Sequence, residues 1–100
     1  MAVKIEIDQE QLAEFCRRNR IKRLSLFGSV LRDDFGPASD VDVLVEFLPE
    51  ARVSLLDMAG MEMELEELLG REVDFRTALD LSKYFRDEVV AQAEVQYAAP

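Results

Sequence analysis

The sequence predicts a single α+β domain in which a small mixed β-sheet packs against about four helices, in the order α-β-α-β-α-β-α. Two short runs, 41–47 and 72–76, alternate apolar and polar residues as strands do, and a third apolar run ends at Phe27. Longer segments between and around them have apolar residues at helical spacing. The length of 100 residues suits one domain, so 1–100 is assigned to it.

The helices are predicted from their spacing and their end signals. A first helix is expected over 8–19, a second over 54–69 and a last one over about 80–97. Ser54 is a suitable N-cap for the second helix, and Gly70 stands where a helix commonly ends. Because the connection between the first two strands is short, we expect these strands to pair antiparallel.

Three aspartates form the first candidate site. Asp40 and Asp42 lie two residues apart where the strand 41–47 begins, so both side chains are expected on one face, with Cα atoms roughly 6.5–7 Å apart. Asp74 lies in the strand 72–76. If this strand runs parallel to 41–47 after a helical crossover, Asp74 comes level with the other two carboxylates. Such a group suits a pair of divalent cations.

The electrostatic cost of this group argues against a purely structural role. Two carboxylates about 5 Å apart at an effective dielectric of about 20 repel each other by roughly 3 kcal/mol, and three carboxylates make three such pairs. Folding gains nothing from that repulsion. Mg²⁺ reverses its sign, and Mg²⁺ is commonly held by a few carboxylates together with substrate phosphates.

A Gly-Ser pair at the end of the first strand is the second candidate element. Gly28 lacks the Cβ that would keep a backbone from close approach, and Ser29 can cap a helical turn over 30–32 while offering hydroxyl and N–H donors. A helix N-terminus binds anions readily. Arg32 would either contact a phosphate or brace the acidic loop 33–34.

Composition narrows the function classes. The chain has no histidine, which excludes Ser-His-Asp and Cys-His catalysis and the common histidine-containing zinc sites. Its net charge of −9 argues against a broad nucleic-acid-binding surface. Cys16 is expected in the core, and a single cysteine fits a reducing cytoplasm. No apolar run approaches the length of a membrane span, and neither export nor membrane insertion is indicated.

These motifs resemble a known superfamily. Gly28-Ser29, ten intervening residues and Asp40-x-Asp42 match the signature of the DNA polymerase β-type nucleotidyltransferases. The longer strings 27–32 and 39–45, with the short chain, resemble its minimal nucleotidyltransferase (MNT) branch, and the closing segment 85–97 is similar to that branch's last helix. Many members have Gly after the motif arginine, where Asp33 stands in this chain.

The resemblance implies a two-layer, polymerase β palm-like fold and a division of roles among the motif residues. By this resemblance Asp40, Asp42 and Asp74 are catalytic and hold two Mg²⁺ ions. The nucleotide-binding set that it implies comprises Gly28, Ser29, Arg32 and Ser39. ATP is the substrate, and pyrophosphate leaves as AMP is transferred.

The resemblance also implies a partner. Members of the MNT branch are commonly antitoxins of HEPN-domain ribonuclease toxins, so the first hypothesis is AMP transfer to a toxin hydroxyl, typically of a tyrosine. A second hypothesis is neutralisation by binding alone, through the acidic surface and with a silent site. A third is a nucleotidyltransferase acting on a small molecule. A homo-oligomer or a hetero-oligomer with the toxin is compatible with the sequence.

Overall fold

The computed structural model describes residues 5, 7–28, 36 and 39–100, and these form an α+β domain around one four-stranded sheet. The elements in chain order are α1 (Gln9–Arg18), β1 (Ile21–Phe27), β2 (Val41–Phe47), α2 (Leu55–Leu69), β3 (Val73–Thr77), a 3₁₀ turn (Ala78–Asp80), α3 (Arg86–Gln92) and β4 (Glu94–Ala98). None of the helices in these residues has the length and apolar character needed to cross a membrane.

The sheet is mixed, with the strand order β3-β2-β1-β4. β2 pairs antiparallel with β1, and β3 pairs parallel with β2 after the crossover through α2. The antiparallel pairing confirms the prediction from the sequence, and the parallel pairing meets the condition under which Asp74 was expected to come level with Asp42. The physical reason is connection length, because a parallel neighbour requires a crossover of a dozen or more residues and an antiparallel one does not.

One face of the sheet carries the core. Alternate residues of β2 are buried, and so are alternate residues of β3, as expected for strands covered on one side. The core consists of Leu12, Phe15, Cys16, Ile21, Leu24, Leu26, Val41, Val43, Val45, Met61, Leu65, Val73 and Phe75. These residues come from α1, α2 and three strands, so the two helices cover one face and leave the other available for a site.

The helix ends behave as predicted. The side chain of Asp8 accepts hydrogen bonds from two N–H groups in the first turn of α1. Ser54 and Asp57 form a reciprocal capping box at the start of α2, and the two hydrogen bonds from Ser54 lower the pKa of Asp57. Gly70 ends α2 with a left-handed backbone, φ 69°.

The prediction for the last helix is wrong. Instead of one helix over about 80–97, the structure has the short α3 followed by β4, and Tyr97 lies in a strand. The strand forms because β1 offers a second hydrogen-bonding edge, which β4 pairs antiparallel. Arg86 is the first residue of α3, and its guanidinium donates to the carbonyls of Ala78 (2.6 Å) and Leu81 (3.0 Å) in the segment before the helix.

The predicted helix count also differs. The described residues contain three α-helices, not about four. The helical turn expected over 30–32, between the first two strands, lies outside the described residues.

Cys16 is in the core, as expected from its place in the chain. Its side chain is fully buried, and burial raises the pKa of the thiol to about 12, against a smaller lowering effect of Arg17. A thiol with such a pKa stays protonated at neutral pH, which makes it a packing group and not a nucleophile.

Two leucines of α2 provide a test of this packing. Leu65 is fully buried whereas Leu56 is 82% exposed. Leu65→Ala is expected to lower the free energy of unfolding by about 2–5 kcal/mol because it leaves a cavity in the core. Leu56→Ala is expected to change it by less than about 0.5 kcal/mol. Urea denaturation monitored by circular dichroism measures both, and equal effects would contradict the packing described above.

Candidate active site

The site is organised by the register of β2 with its two neighbours. Asp42 faces Phe27, the last residue of β1, and in the other direction it faces Asp74 of β3. Paired residues of neighbouring strands share a face, and Asp42 alternates with the buried Val41 and Val43. Its carboxylate therefore lies on the face opposite the core.

Gly28 follows directly after β1 and packs against this carboxylate. Its backbone is left-handed, with φ 74°. A Cβ at this position would come 3.1 Å from the carboxyl carbon of Asp42, and it would overlap one of the carboxylate oxygens. Two independent reasons, conformation and space, thus require glycine here. The sequence analysis predicted the close approach but not its partner.

Asp74 is level with Asp42, as the parallel pairing predicted. Adjacent strands lie about 4.8 Å apart, so the two residues are close neighbours on one face. The carboxylate of Asp74 is held by Arg76, whose Nε donates to Oδ1 at 3.0 Å. The two residues are two positions apart in one strand, so both point away from the core.

Asp40 lies just before β2 and is exposed. Within residues 5, 7–28, 36 and 39–100, no three or more Asp, Glu, Cys or His side chains are grouped so that they could hold a metal ion. The structure thus brings Asp42 and Asp74 into register, with Asp40 at the strand entrance and the Asp74 carboxylate turned to Arg76. The metal-binding roles of these aspartates stay a prediction.

Arg76 is the positive charge beside these carboxylates. Its pKa is raised, first by the hydrogen bond to Asp74 and by that residue's charge, and further by the charges of Asp80 and Asp42. The guanidinium therefore lies in the electrostatic field of three acidic residues. Arg76 lies in β3 opposite Leu44, which is two residues along β2 from Asp42 and on the same face.

The segment before Asp40 is braced by hydrogen bonds. Gly36 N–H donates to the hydroxyl oxygen of Ser39 at 3.0 Å, and Ser39 N–H donates to the carbonyl of Gly36 at the same distance. Arg71 donates to the carbonyl of Gly36 at 2.9 Å. Ser39, predicted to bind nucleotide, thus stabilises the turn. Ser29 and Arg32, the other predicted nucleotide-binding residues beside Gly28, lie outside the described residues.

Glu62 on α2 is a further carboxylate near the site. Burial is the main cause of its raised pKa, the charges of Glu66 and Asp74 add to it, and Arg76 partly opposes it. Glu66, one turn later, accepts the N–H of Val73 at 3.0 Å and so connects α2 to the start of β3. The end of β3 that carries Asp74 is therefore bordered by acidic side chains of α2.

The arrangement suits a hard divalent cation with a phosphate-bearing ligand. Carboxylate oxygens are the ligands that Mg²⁺ prefers, and Asp42 and Asp74 lie opposite each other on neighbouring strands. The absence of a Cβ at Gly28 lets the Asp42 carboxylate pack directly against the glycine backbone. The chemistry of these two carboxylate donors fits such a metal ion.

Comparison with known proteins agrees with this chemistry. Residues 9–96 match the family model of the nucleotidyltransferase domain. This chain belongs to the nucleotidyltransferase domain family. It is therefore a nucleotidyltransferase, and its four-stranded mixed sheet with flanking helices is the fold of the minimal members.

Two archaeal relatives have related names. A protein of Methanocaldococcus jannaschii, provisionally named a protein adenylyltransferase, is 41% identical over 76 residues, which cover 76% of this chain and 80% of the relative. The protein adenylyltransferase MntA of Thermococcus cleftensis is 41% identical over 61 residues, covering 61% of this chain and 60% of MntA.

Two solved structures have the same fold. A toxin–antitoxin structure with AMP-PNP aligns with a TM-score of 0.73 at 19% identity, covering 93% of this chain and 75% of that one. A tri-AMPylated HEPN toxin of Shewanella oneidensis in complex with an MNT antitoxin aligns with a TM-score of 0.64 at 19% identity, covering 91% and 70%. At these identities the likeness concerns the fold.

The sequence analysis missed three side chains around the site. The position of Arg76 could have been predicted from the sequence, because it lies two residues after Asp74 in one strand and such residues share a face. Glu62 and Arg71 had none, since each approaches the site from an element whose packing the sequence alone does not specify.

Gly28 generates a prediction with a matched control in Gly70, which has a similar positive φ but no atom within 4 Å of an added Cβ. Gly70→Ala should destabilise the fold by about 1–2 kcal/mol through backbone strain alone. Gly28→Ala should cost more than Gly70→Ala, because its methyl group also displaces the Asp42 carboxylate. Urea denaturation gives the two values, and equal losses would refute the close approach.

Glu62 generates a prediction on pH. Its pKa is higher in the folded than in the unfolded chain, so the folded state holds the proton more strongly and stability due to this group falls as pH rises between the two pKa values. Glu62→Gln should therefore be more stable than the native protein at pH 7. The gain should vanish below about pH 4, where glutamate is protonated in both states.

Urea denaturation of both proteins at several pH values between roughly 3 and 8 measures this difference, because glutamate side chains change protonation within that interval. Glu67→Gln makes the same change at an exposed position of α2 and serves as the control. A Glu62→Gln gain that persisted undiminished at acidic pH would contradict the assigned cause.

Proposed function

We propose that this protein is a Mg²⁺-dependent protein adenylyltransferase that transfers AMP from ATP to a hydroxyl of a HEPN ribonuclease toxin, and that it acts as the antitoxin of that toxin. The observation that supports the proposal best is the register of Asp42 with Asp74 beside Gly28, in a chain of the nucleotidyltransferase family. The names of the similar proteins supply the class of acceptor.

The residues of the site have distinct tasks in this proposal. Asp40, Asp42 and Asp74 would hold two Mg²⁺ ions, which when bound stabilise the attacking and leaving oxygens of the transfer. Gly28 lets the chain pass close to the Asp42 carboxylate, because a Cβ there would overlap it. Ser39 and Arg71 stabilise the turn that leads to Asp40.

The proposed reaction is a single displacement at phosphorus. The acceptor hydroxyl oxygen forms a bond to the α-phosphorus, and the bond from that phosphorus to the bridging oxygen of pyrophosphate breaks. The hydroxyl proton passes to Asp74, which lies on the open face of an edge strand where an acceptor can approach. A tyrosine is the acceptor proposed, as the resemblance to the MNT branch implies.

Neutralisation by binding alone is the second candidate. It is favoured by large apolar side chains exposed after β3, where Leu79 is 83% and Tyr84 88% exposed. Such a surface would bind a partner whether or not the carboxylates are active. Under this alternative the toxin stays inhibited without being modified.

The test is incubation of the protein with Mg²⁺, ATP labelled at the α-phosphate, and the protein that co-purifies with it. Label on the partner with the native chain is expected, and Asp42→Asn should reduce it at least about 100-fold because catalysis of this kind depends on charge stabilisation. Asp87→Asn makes the same change on the exposed first turn of α3 and should label normally.

Stability separates loss of chemistry from loss of folding. In chelator, Asp42→Asn should be at least as stable as the native protein, because it removes the repulsion between neighbouring carboxylates. Mg²⁺ with ATP should raise the melting temperature of the native protein only. No label with continued inhibition of the partner would support neutralisation by binding, and label on a small molecule alone would indicate the third hypothesis.

A further inference from the structure

Arg76 and Asp74 form an ion pair on the open face of the sheet. The Nε to Oδ1 distance is 3.0 Å, and the two side chains are 45% and 41% exposed. Arginine remains charged at all physiological pH values, so this pair persists unless another cation replaces it. The partner of Arg76 is thus one of the carboxylates that the proposed metal site requires.

The register makes the pair part of the site. Asp74 faces Asp42 across the β2–β3 ladder, and Arg76 faces Leu44, the next residue of β2 on the same face. The guanidinium donates to Asp74 at 3.0 Å, so it would lie close to any cation that Asp42 and Asp74 held together. At such distances a bare divalent cation and Arg76 repel each other and compete for one carboxylate.

We propose that Arg76 is a built-in counter-ion of the metal site, a positioning residue that holds Asp74 and disfavours a bare divalent cation relative to a metal–nucleotide complex. The inference rests on the proposed function. A metal ion that arrives with the phosphates of ATP has a net negative charge as a complex, so Arg76 does not repel it. Arg76 therefore delays occupation of the site until the nucleotide is present.

Arg76 also offsets an electrostatic repulsion in the metal-free protein. With no metal bound, Asp42 and Asp74 are like charges on adjacent strands, and Arg76 supplies the compensating charge. Because the pair is exposed, its strength is limited by solvent screening, and the effect on metal affinity is correspondingly moderate. Removing the charge of Arg76 should leave the fold intact, since the side chain is not part of the core.

The experiment titrates the full chain with Mn²⁺ in the absence of nucleotide and follows the electron paramagnetic resonance signal of the free ion. Arg76→Leu and Arg76→Gln should each bind Mn²⁺ roughly twofold to fivefold more tightly than the native protein. Arg76→Lys, which keeps the charge, should remain close to native. In contrast, the affinity for the Mn²⁺–ATP complex should not increase in any of these variants.

Two controls define the signal. Arg23→Leu removes a positive charge from the same face at the far end of β1, where Arg23 pairs with Glu46 at 3.8 Å, and it should not change the affinity. Asp42→Asn identifies the fraction of bound Mn²⁺ that belongs to the site.

The outcomes distinguish the inference from the function on which it rests. Unchanged or weaker Mn²⁺ binding by both neutral Arg76 variants, with Asp42-dependent binding intact, overturns the counter-ion role and leaves the metal site standing. Equal tightening by Arg23→Leu also overturns it, because the effect would then be one of net charge. Absence of Asp42-dependent Mn²⁺ binding in every variant, with and without ATP, overturns the metal site itself.

Discussion

The hydrogen-bonding register of β2 is the constraint on which the rest of this structure depends. It sets Asp42 beside the end of β1 on one side and beside Asp74 on the other. Side chains in a strand alternate between faces, so a shift of one residue would turn Asp42 into the core and a valine toward the solvent. The apolar residues of β2, buried under α1 and α2, prevent that shift. The same register therefore fixes the core residues on one face of the sheet and the site residues on the other.

This arrangement places like charges on neighbouring strands; Arg76 reduces the electrostatic cost, whereas Glu62 adds to it. Arg76 pairs with Asp74, while Glu62, on the helix that packs against β3, keeps a raised pKa from burial and from nearby acidic charge. Unfavourable electrostatics at a fixed place in a fold are typical of functional sites. The buried core stabilises the sheet enough to tolerate these unfavourable charge interactions.

Glycine and arginine position the motif residues around the sheet. Gly28 is required where the chain leaves β1, because its left-handed backbone and the nearby Asp42 carboxylate both exclude a side chain. Arg71 donates to backbone carbonyls of the turn before Asp40 and connects that turn to the start of β3. Gly28 thus packs against the carboxylate of β2, and hydrogen bonds connect Gly36 and Ser39 to Arg71, which lies just before β3.

The sequence by itself determined the local features, namely the strand of Asp42, the capped helix from Ser54 to Gly70 and the antiparallel pairing of the first two strands. Capping, alternation and connection length are properties of neighbouring residues, which is why they are readable. Only the tertiary structure decided that 94–98 form β4, because the residues there pair with an edge of β1 distant in sequence. The contacts of Arg71 and Glu62 likewise depend on packing between separate elements, which no local pattern encodes.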